Sequence, residues 1–128
     1  MRTMTLGTTG LRVSAVGFGG IPIIRLGLDE AVSVLRHAVD RGMTFFDTAN
    51  RYMDSEEKMG RAFAGMRDKV VIATKTGQRG AAGAMEELEL SLKRLGTDYI
   101  DLYQPHQVSH QEELDALLGP GGAMRVLA

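Results

Sequence analysis

The sequence predicts an α/β fold built on a parallel sheet. Two observations carry this. After an opening hairpin, short apolar strand-like runs and amphipathic helical runs alternate strictly along the 128 residues. The connections between them are short, which argues parallel strands joined by right-handed crossovers.

The opening segment reads as a hairpin. Met4 and Leu6 alternate with polar neighbours, Gly7 to Gly10 supplies the turn, and Leu11, Val13 and Ala15 alternate again. Val16 to Gly20 forms a short glycine-rich strand and exit. A helix follows with Asp29 and Glu30 in its first turn, where negative charge suits the dipole. Ala31, Leu35 and Ala38 mark its apolar face, flanked by Val32 and Val39, and Gly42 is the expected stop.

Met43 to Phe46 reads as a buried strand, and the polar run Asp47 to Tyr52 leaves its C-terminal end. The next helix is expected to open on a capping box of Asp54 and Glu57. Its apolar stripe is Met59, Ala62, Phe63 and Met66. Val70 to Ala73 is the clearest strand, continuous and β-branched, as in a strand buried on both faces. It runs out at Thr74-Lys75-Thr76.

A polar loop, Gly77 to Gly83, leads to a third helix. Met85, Leu88, Leu92 and Leu95 are expected on its buried side, with Gly96 as its stop. Tyr99 to Tyr103 is a fourth strand ending at Gln104-Pro105-His106. Ser109 and Glu112 read as a capping box for a short helix carrying Leu114, Leu117 and Leu118. Gly119 to Gly122 breaks it, and residues 123–128 read as the start of another helix.

Two architectures fit this order: an open doubly wound sheet and a β/α barrel. A dinucleotide-binding doubly wound sheet needs a phosphate fingerprint after its first strand. Gly17-Phe18-Gly19-Gly20-Ile21 lacks the third glycine at that spacing.

Composition narrows the function classes. The apolar fraction is 44%, the charged fraction 24% and the net charge −1. There is no basic face or arm for nucleic acid and no polybasic run for a membrane surface. No apolar stretch approaches the ~20 residues of a membrane-spanning helix. The N-terminus lacks a signal peptide's apolar core. With no cysteine there is no disulfide, thiolate metal site or cysteine nucleophile. A metal-free cytoplasmic protein is the simplest expectation.

In a β/α barrel, chemistry gathers at the C-terminal strand ends. There the sequence offers Asp47 and Tyr52, then Lys75, then His106. The set has a physical logic. A phenol is a weak acid at neutral pH, and a neighbouring ammonium lowers its pKa. An aspartate can hold the lysine, and a neutral histidine can orient a substrate oxygen. Together they could protonate a carbonyl oxygen while a hydride reaches its carbon. None can supply the hydride, so a cofactor must. Each residue also has an ordinary reading: a snorkelling Lys75, an Asp47 loop cap, a packing Tyr52, an exposed His106.

The motifs resemble those of the aldo-keto reductase family. Phe45 to Tyr52 is similar to its strand entering Asp-Thr-Ala, with Tyr five residues after the Asp. Val71 to Lys75 looks like its lysine strand. Leu92 to His106 is similar to its helix-turn-strand ending in the catalytic histidine. Leu6 through Gly20 looks like its bottom-capping hairpin and first strand. The resemblance covers essentially the whole chain.

It implies a (β/α)8 TIM barrel, of which these residues would be the N-terminal half: a capping hairpin and about four parallel strands alternating with helices. It implies reduction of aldehydes or ketones by hydride from NADP(H), with NAD(H) as the alternative. Tyr52 would be the general acid, Lys75 would tune it, Asp47 would pair with Lys75 near the nicotinamide ribose, and His106 would orient the carbonyl. The backbone around Gly20 and Ile21 would approach the nicotinamide. Gln107 stands where many relatives carry an aromatic, which leaves the substrate open. Some relatives carry a cysteine-rich iron–sulfur extension, for which this chain supplies no ligand.

A full barrel takes about 250 residues. The expectation is therefore one partial domain, 1–128, ending in a helix beyond the fourth strand. The groups that grip the carboxamide and 2′-phosphate would lie outside it. Open strand edges invite pairing, so self-association is expected. The alternatives are a catalytically incompetent half-barrel and a lyase using Lys75 as a Schiff base, which a carboxylate partner at Asp47 argues against.

Overall fold

The computed structural model describes residues 1–127. Ala128, the last residue of the final expected helix, lies outside them.

The hairpin pairs β1 (Thr3–Thr5) with β2 (Arg12–Ser14) in antiparallel register, Met4 opposite Val13. Gly7 and Gly10 turn it at positive φ, 53° and 77°, conformations that glycine adopts without strain. Only β2 buries its apolar side: Val13 is 2% exposed, whereas Met4 is 51% exposed. Ser14 and Thr44 exchange hydrogen bonds, backbone N–H to side-chain oxygen in both directions, at 2.8 and 2.9 Å. This pins the hairpin to the N-terminal entrance of the strands, away from their polar ends.

The main sheet is parallel, in the order β3 (Phe18–Gly19), β4 (Phe45–Asp47), β5 (Val71–Thr76) and β6 (Leu102–Pro105). Each strand neighbours its successor. The order never reverses among the described residues, which therefore hold no switch point of a doubly wound sheet. The three long helices are α1 (Leu28–Asp40), α2 (Ser55–Phe63) and α3 (Ala81–Leu95). They pack in sequence, α1 on α2 and α2 on α3, as in a barrel's outer ring.

The two-residue period sorts the strands. Phe46 and Ile72 pair across β4 and β5 and join Leu35, Met59 and Phe63 in the core beneath the helices. Phe45, Asp47, Val71, Lys75, Leu102 and Gln104 share the opposite, inner face, where they are only half-buried. So the expected burial of residues 70–73 on both faces holds for Val70, Ile72 and Ala73 but not for Val71, nearer the strand's entrance. Val71's side faces the barrel interior, and the described residues supply only four strands to cover it.

The helices follow the sequence with three exceptions. In α1, Ala31 and Leu35 are buried and Asp29 and Glu30 occupy the first turn; Gly42 follows the helix at φ 87°. In α2, Asp54 precedes the helix at φ −99°, ψ 11° and makes no cap. Its carboxylate turns instead to the buried Lys58 ammonium, 2.8 Å away, which also donates to the Ile23 carbonyl. In α3 the buried residues are Ala84, Ser91 and Leu95, while Met85 is exposed. Ala84 packs with Leu117 and Ala123 while Leu95 joins the main core, and α2 closely approaches the end of α3, where a Cβ on Gly60 would overlap the Arg94 carbonyl. Leu88 and Leu92 are rotated toward an open groove with Ile100, Tyr103 and Leu127.

Gly96 ends α3 in the left-handed region, as expected. Strand β6 starts later than expected because the Asp101 carboxylate, not its backbone, meets β5: it accepts from the Ile72 N–H at 2.9 Å and pairs with Arg67 at 2.6 Å. The short helix α4 (Gln111–Leu118) opens one residue late. Glu113, not Glu112, accepts from the Ser109 and His110 N–H groups. A last turn, α5 (Met124–Leu127), packs near α3.

Candidate active site

The strand ends converge. Asp47 closes β4 and Lys75 lies near the end of β5, on the same face. The Lys75 Nζ donates to both Asp47 carboxylate oxygens and to the Thr48 carbonyl, each at 2.7 Å. The ammonium also lies 5.4 Å from the Tyr52 ring centroid, within range of the ring's negative face. Tyr52 Oη lies 3.4 Å from His106 Nε2, and the two rings meet edge-on with centroids 5.3 Å apart. His106 is held by its backbone: its N–H donates to the Thr76 carbonyl and its own carbonyl accepts from Arg79. The four candidate residues thus form one cluster, Asp47–Lys75–Tyr52–His106.

The backbone is strained at two points beside this cluster. Among the described residues, the non-glycine positions at positive φ are Met53 (45°) and Gln107 (53°), which directly follow Tyr52 and His106. Such conformations cost a β-carbon residue about 1–2 kcal/mol and concentrate at sites that must aim a side chain.

The electrostatics depart from one expectation. Burial and then the Asp47 carboxylate push the Tyr52 phenol up from its ordinary value. The sequence predicts that Lys75 lowers it, but the Lys75 charge is engaged by Asp47 rather than by the phenol oxygen. His106 is held below the ordinary imidazole value, by burial first and then by Lys75, Arg51 and Arg79, with Asp47 opposing. Its Nδ1 is buried without a hydrogen-bond partner.

Gly20 adjoins the cluster. Its N–H donates to the Asp47 carbonyl at 2.7 Å, and its carbonyl accepts from Ser55 Oγ at 3.0 Å. A Cβ there would lie 2.6 Å from Ser55 Oγ and 2.9 Å from the Asp47 carbonyl. Close packing thus accounts for this glycine, and its polar groups are spent internally. Ile21 is half-exposed at the same strand end. Among the described residues no cluster of His, Asp or Glu could hold a metal ion, and no helix is long and apolar enough to cross a membrane.

Residues 6–120 match the Aldo/keto reductase family. The chain belongs to the aldo/keto reductase family. It is 41% identical over 125 residues to aldo-keto reductase YhdN of Bacillus subtilis, covering 83% of this chain and 38% of that protein. Aldo-keto reductase AKR11C1 from Bacillus halodurans, solved in its holo form, superposes with a TM-score of 0.80 at 31% identity. An aldo-keto reductase from Klebsiella pneumoniae, solved in complex with NADPH, superposes with a TM-score of 0.76 at 34% identity. Each of these superpositions covers 91% of this chain and 45% of the other. The chain spans less than half the length of these relatives. Its fold is accordingly part of the family's (β/α)8 barrel.

Sequence reasoning missed the supports of this aldo/keto reductase cluster. Asn50 carried a signal, since it lies in the polar run between Asp47 and Tyr52. Arg79 carried none: its grip on the His106 and Gln107 carbonyls depends on how two loops meet.

Proposed function

We propose that residues 1–128 form the N-terminal half of the barrel of an NAD(P)H-dependent carbonyl reductase and carry its proton-transfer residues. The observation that carries this reading is the Tyr52 hydroxyl beside His106 Nε2, with the Asp47-paired Lys75 ammonium against the Tyr52 ring. A carbonyl oxygen placed between Tyr52 and His106 would meet two donors. Tyr52 is the general acid in reduction and the base in alcohol oxidation. Its raised pKa keeps it protonated and ready to donate.

His106 stays neutral and carries its proton on Nε2. A proton on Nδ1 would bury an unpaired N–H, at a cost of about 1–3 kcal/mol. Nε2–H then faces the substrate oxygen. Asp47 fixes Lys75, and Lys75 places positive charge under the ring where negative charge develops on Tyr52.

The residues present fit the nicotinamide end of the cofactor. The Asp47 carboxylate is 37% exposed and keeps acceptor capacity for a ribose hydroxyl. Ile21 offers a half-exposed apolar side chain at the adjoining strand end. NADP(H) is the proposed cofactor, in line with the NADPH-bound Klebsiella relative, and NAD(H) is the alternative. When bound, the reduced nicotinamide supplies the hydride. The substrate is a small aldehyde or ketone, and a cytoplasmic site of action is part of the same proposal.

Titration of the chain with NADPH, read by fluorescence, tests the cofactor reading. Saturable binding is expected; its absence leaves an incompetent half-barrel. In an enzyme carrying these residues within a complete barrel, Tyr52→Phe is expected to abolish carbonyl reduction while keeping cofactor affinity. Wild-type turnover in that variant refutes the acid assignment.

A further inference from the structure

Tyr52 does not sit on a strand. It sits on the loop that follows β4, and the sheet reaches that loop at Thr48, whose N–H donates to the Ala73 carbonyl at 2.8 Å, and last at Asn50, whose N–H donates to the Lys75 carbonyl at 3.0 Å. A further hold comes from behind the barrel. Asn50 Nδ2 donates to Ser91 Oγ at 3.2 Å and to the Glu87 carbonyl at 3.3 Å, both on α3. The Asn50 carbonyl accepts from Arg94 Nη1 at 3.1 Å. Asn50 is therefore tied through its N–H, its carbonyl and its side chain, two residues before Tyr52.

Arg94 is in turn aimed by Glu56. That side chain is 1% exposed. One of its oxygens accepts from Thr74 Oγ1 at 2.7 Å, and the other faces Arg94 Nη1 at 3.4 Å. A buried carboxylate is costly unless paired and hydrogen-bonded. This one is placed between the residue before Lys75 and the guanidinium that holds the Tyr52 loop.

We propose that Asn50 and Arg94 are positioning residues that hold Tyr52 against Lys75 and His106, with Glu56 orienting Arg94. The proposal rests on the reading of Tyr52 as the general acid. Positioning of this kind matters because a displacement of about 1 Å can cost on the order of 100-fold in rate.

The test is NMR spectroscopy on the 128-residue chain. Wild type is expected to show a ring-to-ring cross-peak between Tyr52 and His106. Asn50→Ala is expected to lose that cross-peak and to move the His106 titration up toward the ordinary imidazole value, while circular dichroism stays native. Arg94→Met is expected to do the same, and Arg94→Lys, which keeps a cation between Glu56 and Asn50, to restore both signals. Ser91→Ala removes one acceptor of Asn50 without substituting a residue of the Tyr52 loop, and is expected to weaken the cross-peak.

A merely structural role would lower the unfolding midpoint and leave both signals unchanged in the folded protein. That result in Asn50→Ala and Arg94→Met overturns the proposal. If Asn50→Ala does not fold, Ser91→Ala and Arg94→Met decide by the same criteria. The readout needs neither cofactor nor turnover, so a failure to bind NADPH would count against the proposed function alone.

Discussion

Replacing Asp47 by Asn removes the charge that Lys75 is built around. Lys75 donates two bonds of 2.7 Å to that carboxylate, and its side chain is 16% exposed against 37% for Asp47. The pair lies between two regimes. Exposed ion pairs contribute about 0–1 kcal/mol, and breaking a buried pair costs about 3–5 kcal/mol. The exposure of Asp47 lets solvent screen the charge, and Asn retains one acceptor for Lys75. A loss of about 1–2 kcal/mol follows. With a urea m-value of about 1–3 kcal/mol/M, the midpoint should fall by roughly 0.3–2 M.

The assay is a double-mutant cycle of Asp47→Asn and Lys75→Met, at one protein concentration so that association does not bias the midpoints. A favourable coupling of about 1–2 kcal/mol is expected. Asp47→Asn should also lower the Tyr52 titration, because Asp47 is one of the two causes that raise it. A coupling near zero, or an unmoved Tyr52 titration, would refute the reasoning that Asp47 governs both neighbours.

Other perturbations act on neighbouring features. Gly20→Ala drives a Cβ to 2.6 Å from Ser55 Oγ and should cost about 1–3 kcal/mol in chemical denaturation; a neutral result would show that β3 can shift freely. His106 binds its proton less readily in the folded chain than in the unfolded one. Its contribution to stability is therefore fully present above the unfolded imidazole pKa and is lost as pH falls through the lower, folded value. His106→Asn should flatten that acid-side slope in denaturation curves, and an unchanged slope would show that His106 does not drive it. Strands β3 and β6 each have one unpaired edge among the described residues. Sedimentation of the chain is expected to show self-association, and a stable, well-folded monomer would contradict that expectation.

Much of this fold was legible because its signals are local. Gly96 ends α3 and Gly7 and Gly10 turn the hairpin because φ is a property of one residue and its neighbours. Asp47, Tyr52, Lys75 and His106 were legible for a related reason: each lies at or just beyond the C-terminal end of a strand-like run, and parallel strands send such residues to one rim. The errors arose where a nearby partner outcompeted the local rule. Asp54 fits a cap in sequence, but the buried Lys58 ammonium takes its carboxylate. Met85 fits an apolar stripe, but α3 turns Ala84 toward Leu117 and Ala123 and Ser91 toward Asn50, which leaves Met85 exposed.

The sequence by itself determined the order and kind of the elements, the parallel crossovers and the four polar residues at the strand ends. Periodicity and turn chemistry act over a few residues and need no knowledge of the rest. Only the tertiary structure decided that Gly20 spends its N–H on Asp47, that Asn50 and Arg94 brace the Tyr52 loop, and that burial and Asp47 raise the phenol. Those outcomes depend on distances between residues far apart in the chain. Coulombic and hydrogen-bond energies change steeply over the last ångström or two of such distances, and packing alone sets them.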